Sequence, residues 1–161
     1  MTYLEAYEQV TVWLEMSGIE AVSGAVLDNE GSCIVSLGED RHCAVILPRD
    51  QSTLYFVSTL YTLNLELDGD LLAFCLCLNS YALANMQTAA IGLDIDNRQL
   101  IFRSAHKLHA AMIPELNELL ESFLDNASDI KRQITTYRQS GDIEDVSALQ
   151  IDRVHREFSI A

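Results

Sequence analysis

The chain has 161 residues, 49% of them hydrophobic, with only 2 prolines and 7 glycines, which suits one domain with a real core and excludes wholesale disorder. Lys and Arg number 10 against 24 Asp and Glu, a net charge of -14. So acidic a surface repels phosphate backbones and anionic headgroups, so neither nucleic acid nor a membrane is the expected partner; a soluble protein that is basic or aggregation-prone is.

The start, Met1 to Glu5, lacks the basic residues and apolar core of a signal peptide, and the longest apolar run, Leu71 to Leu78, falls far short of the ~20 residues of a membrane span. A cytoplasmic location is expected. The first helix begins at Thr2, which with Glu5 forms a capping box. Leu4, Tyr7, Val10 (or Thr11) and Leu14 recur at helical spacing, and Gly18 stops the helix. Val12, Trp13 and Met16 lie off that stripe, which implies a second contact.

From Gly24 the period becomes two. Gly24–Leu27 and Cys33–Leu37 are short apolar segments separated by a turn cluster, Arg41–Leu47 and Thr53–Tyr61 follow after further turns, and three sequential strands among them read as an antiparallel meander. A second helix is expected from an N-cap at Asp70, and its first half, Leu71 to Leu78, is apolar all round. One sheet covers one side of it; a second copy of the chain is the simplest cover for the other. A hairpin follows, Ile91–Ile95 and Gln99–Arg103. The third helix carries an unbroken stripe of Ile113, Leu116, Leu120, Phe123, Ala127, Ile130, Ile134 and Tyr137, with Pro114 in its first turn. The fold class is α+β: helix, three-stranded meander, helix, hairpin, helix, a two-layer sandwich forming a homodimer. Residues 1–138 form the domain; residues 139–161 read as a flexible tail or a short docking helix.

No motif for catalysis emerges. The glycine spacing matches neither a dinucleotide nor a phosphate loop. Cys75 and Cys77 point apart on a helix, and all 4 cysteines sit in apolar runs, so they read as buried reduced thiols. Cys33 and Cys43 are not directly opposed across their turn. His106 and His109 read as surface histidines, and Asp94 and Asp96 as turn residues. No cofactor, no metal and no enzymatic activity are expected.

Three segments carry a resemblance. They are Leu78-Asn79-Ser80-Tyr81-Ala82-Leu83-Ala84-Asn85, Ala90-Ile91-Gly92-Leu93-Asp94 and Arg98-Gln99-Leu100-Ile101-Phe102-Arg103. With the element order and the acidity, they make the chain, over about residues 2 to 137, resemble the class I type III secretion chaperones (the Tir-chaperone family). The resemblance implies a homodimer without ATPase activity that holds the N-terminal segment of a secreted effector in extended form. It also implies delivery to the secretion ATPase. The dimer interface would involve Leu72, Leu76, Asn79, Leu83, Ile91 and Leu93. The effector would lie over the first helix and first sheet, on Val12, Trp13, Met16, Val45, Leu47, Leu54 and Phe56, with the carboxylates around them speeding encounter with a basic segment. The alternative is a small dimeric adaptor that binds folded partners.

Overall fold

The computed structural model describes residues 1–21, 27–38, 41–49, 51–64, 67–81 and 88–140. In chain order these form α1 (Tyr3–Met16), β1 (Glu20–Ala21), β2 (Ser32–Ser36), β3 (His42–Ile46), β4 (Thr53–Thr62), α2 (Gly69–Tyr81), β5 (Ala89–Asp94) and β6 (Gln99–Lys107). A 3-10 turn (Ala110–Glu115) then leads into α3 (Leu116–Ser140). The capping box of α1 is formed. Thr2 Oγ1 accepts from the Glu5 amide at 3.3 Å, and a Glu5 carboxylate oxygen accepts from the Thr2 amide at 2.7 Å.

All strands pair antiparallel in one sheet of order β1-β2-β3-β4-β6-β5. The meander is extended by the two-residue β1, which the sequence pattern did not signal; most of the expected Gly24–Leu27 segment lies outside the described residues. Cys33 pairs with Val45, and Ser36 with His42. Cys33 and Cys43 are thus offset by two residues and not directly opposed, as expected. Gly31 has φ +79°, and a Cβ there would collide with the Leu47 carbonyl oxygen, so only glycine closes the β2 end of this hairpin.

Three helices pack on one face of the sheet. Trp13 of α1 and Phe123 of α3 both reach Phe56, at ring separations of 6.4 and 5.6 Å, and Phe102 stacks on Phe123 at 4.9 Å. On α2, Leu71, Phe74, Cys75 and Leu78 turn inward, and Phe74 stacks on Tyr137 of α3 at 4.4 Å. The α3 stripe is buried from Leu116 to Ile134, with Leu124 added to it. Ile113 and Pro114 belong to the 3-10 turn instead of the helix, and α3 runs to Ser140, two residues past the expected domain boundary.

Asp70 does not cap α2. The Leu72 amide donates to the Asp68 carbonyl at 3.1 Å, so Asp68 is the capping position and Asp70 lies in the first turn. A bulge between Thr59 and Tyr61 shifts Tyr61 opposite Leu100, on the helix side of the sheet, where the Arg138 guanidinium lies 5.7 Å from its ring centre.

Candidate functional site

The expected effector-binding residues divide. Val12 and Met16 are exposed, 50% and 81%, and with Leu4 and Glu8 they form one row along the outer face of α1. Trp13 is buried. Its Nε1 donates to Asn117 Oδ1 at 2.7 Å, tying α1 to α3, so its second contact is within the chain. Val45, Leu47, Leu54 and Phe56 are fully buried beneath the helices. The expectation that these five side chains are open to a partner is corrected: they form the core against which α1 and α3 pack.

The uncovered face belongs to the opposite parity. The pairing places Ile34, Ala44, Val57, Arg103 and Ala90 in one row across five strands, and Ile46, Tyr55 and Ala105 in the next. Ile34 is 48% exposed; Ala44, Ile46, Tyr55, Val57 and Ile101 are half-buried. Sequence reasoning missed this set because β3 and β4 are apolar on both faces. The signal lay in β6, whose charged Arg103 and Lys107 alternate with Phe102 and Ser104. Their parity marks the solvent side, and the β4–β6 pairing carries it to Tyr55 and Val57.

A second uncovered area lies on α2 and β5. Leu76 is 67% exposed, Leu93 44% and Leu72 half-buried, with Cys77 also exposed. Cys77 therefore departs from the expectation of four buried thiols. Ile91 instead packs into the chain's own core. Asn79 is committed within the chain as well. Its amide accepts from the Ile91 N–H at 2.8 Å and donates to the Ile91 carbonyl at 2.9 Å, fastening α2 along the free edge of β5. Leu83 lies outside the described residues.

The titratable groups are arranged as structure. His106 is buried, contrary to the surface expectation, with Nε2 3.0 Å from Ser104 Oγ and its ring 5.2 Å from that of Phe56; burial lowers its pKa. His109 is exposed. Burial pushes the Cys43 thiol up to about 12 and the Cys75 thiol to about 11. Asp94 accepts from the side chain of Asn97 at 2.8 Å and from its amide at 3.1 Å, which lowers its pKa and closes the hairpin turn. No group of three or more metal-ligating side chains occurs among the described residues, and no described helix is long and apolar enough to cross a membrane.

An antiparallel sheet roofed by helices on one side, with an apolar face, a helix row and an edge area left open, defines an α+β protein built for contact with other chains. The chain belongs to the Tir chaperone protein (CesT) family, whose model matches residues 20–131. A chain in the structure of the HopA1-SchA chaperone-effector complex is 16% identical with a TM-score of 0.54, over 81% of this chain and 93% of that one. A chain of the heterodimeric ExoU-SpcU complex from the type III secretion system of Pseudomonas aeruginosa is 15% identical with a TM-score of 0.53, over 76% and 95%. These likenesses show a common fold. A search of curated protein sequences gives no match.

Proposed function

We propose that this chain, a chaperone by its family, holds the N-terminal segment of a secreted effector of a type III secretion system in extended form within the bacterial cytoplasm, keeping it soluble and fit for secretion. The observation that carries this reading is the open row of Ile34, Ala44 and Val57 with its neighbours Ile46 and Tyr55, on the side of the sheet away from the helices; Val12 and Met16 are exposed separately on the outer face of α1. An apolar face of this breadth on an otherwise charged protein is a contact surface. Segments that bind in extended form gain area without needing a fold of their own.

The chain acts as a homodimer, twice 18.0 kDa, through Leu72, Leu76 and Leu93, which lie on two elements that Asn79 holds together. Binding and release use no chemistry of the chaperone itself, and delivery to the secretion ATPase belongs to the same reading. The test is co-purification with candidate secreted effectors from the same organism, followed by limited proteolysis of the complex. A protected, otherwise protease-sensitive segment is expected. Protection of a compact folded domain instead would favour the adaptor reading and reject this one.

A further inference from the structure

The open sheet face differs in charge from the exposed sides of α1 and α3. Glu5, Glu8 and Glu15 line the exposed side of α1, and Glu118, Glu121, Asp125 and Asp129 that of α3. On the open face the central charged residue is Arg103, in the row with Ile34, Ala44 and Val57, and Lys107 follows two rows on, opposite Thr53. Both are exposed, and neither enters an ion pair among the described residues. Arg103 instead lies over the Tyr55 ring at 5.2 Å, a contact that fixes the guanidinium on the apolar surface without neutralising it.

Among the described side chains, the carboxylate that shares this face by register, Asp94, stands at its margin. Asp94 is opposite Gln99, four residues along β6 from Arg103, or about 13 Å at the usual rise. Its carboxylate is already engaged by Asn97. A bound segment would cover Arg103 and remove water from a cation that nothing in the described chain balances, which is unfavourable unless the segment brings the counter-charge.

Resting on the effector-segment reading, we infer that the segment held on this face is acidic as well as apolar: apolar side chains at alternate positions, and an Asp or Glu that pairs with Arg103 or Lys107. The overall charge of -14 attracts basic polypeptides at a distance. The contact face selects the opposite sign, so long-range steering and close recognition are separate filters.

The experiment pans a displayed library of random short segments against the full chain. Parallel selections use R103Q/K107Q and R103E/K107E, whose exposed positions leave the fold intact as checked by thermal melting. The wild type is expected to enrich alternating apolar segments with an Asp or Glu, and R103E/K107E to enrich Lys or Arg at the same place. R103Q/K107Q should keep the apolar pattern without a charge preference. Synthetic versions of one enriched segment, with Glu or Lys at that position, should differ about five- to tenfold in wild-type affinity at low salt, and less at high salt. Enrichment of apolar segments with no acidic preference, or with a basic one, overturns this inference and leaves the effector-segment reading standing. Enrichment of no segment at all overturns both.

Discussion

Arg138, near the end of α3, donates to the buried carboxylate of Asp68 at 2.6 Å, joining residues 70 apart in the chain. The other carboxylate oxygen of Asp68 accepts from the Asn64 amide at 2.7 Å, and its backbone carbonyl starts α2. One residue thus fixes the β4–α2 connection, the start of α2 and the end of α3.

The first prediction concerns that junction. The Asp68 side chain is 1% exposed and that of Arg138 is 42%, so removing Arg138 strands a buried charge whose partner was still partly in water. Arg138→Ala should cost about 1–3 kcal/mol in urea unfolding, and Asp68→Ala about as much through the lost amide and helix-start contacts. The double variant should cost clearly less than the two singles together. Additive losses would mean that the pair does not act as a unit.

The second prediction separates core from surface. Phe56→Ala and Trp13→Ala should each cost about 3–5 kcal/mol and lose binding only through loss of fold, because both rings are packed between sheet and helices. Ile34→Ser and Met16→Ser should leave the melting temperature within a few degrees while weakening effector binding. Circular dichroism and affinity measured on the same samples decide this. Full binding by both surface variants would reject the open face and the α1 row as the contact.

A third prediction uses Cys77 as a reporter for the α2 face. Cys33, Cys43 and Cys75 are buried, and burial holds their thiols protonated, so only Cys77 is poised to meet a maleimide reagent in a single chain. In the proposed dimer Cys77 is covered, and the native protein should label slowly at every thiol. Leu76→Glu, at a position 67% exposed within one chain, should leave the fold intact, give monomers in light scattering and expose one fast-reacting thiol. Fast labelling of Cys77 in the wild type would place the dimer contact elsewhere.

The fourth prediction is a pH dependence. Burial depresses the pKa of His106 in the folded chain, so the unfolded chain takes up its proton first, at about pH 6.5. Stability from this site is complete above that value and is lost as pH falls through the folded pKa, after which the loss levels off. His106→Leu should flatten the decline in urea midpoint just below pH 6.5. Glu5 and Asp94 have folded pKa values lowered by hydrogen bonds from Thr2 and Asn97, so their contributions go later, below about pH 4. An unchanged slope in the His106 variant would assign the acid sensitivity to other groups.

The elements themselves were legible wherever a single period ruled. The capping box at Thr2 stands where the pattern put it, the stripe is helical from Leu116 onward, and the β5–β6 hairpin forms with β5 starting at Ala89 and β6 running four residues past the expected end at Arg103. The faces were harder to read. Val45 and Ile46 are equally apolar neighbours, and which of them meets a helix depends on β4 pairing with β6, residues about fifty apart in the chain, a relation no local window contains. For the same reason Trp13 read as surface: its partner Asn117 lies 104 residues away. His106 read as surface because the strand was expected to end at Arg103; β6 instead runs to Lys107, and the parity of Phe102 and Ser104 carries His106 inward.

Asn79 has a consequence for the solubility of the protein itself. An exposed strand edge templates further strands, and growth into a fibre needs two such edges on each molecule. Here the middle of the β5 margin is occupied by the Asn79 amide, and the opposite margin, β1, pairs through two residues among those described. The β5 border is thus closed to a further strand where Asn79 sits. A chaperone proposed to hold unfolded chains on a broad apolar surface would gain from such an edge, which resists joining them in a cross-β stack.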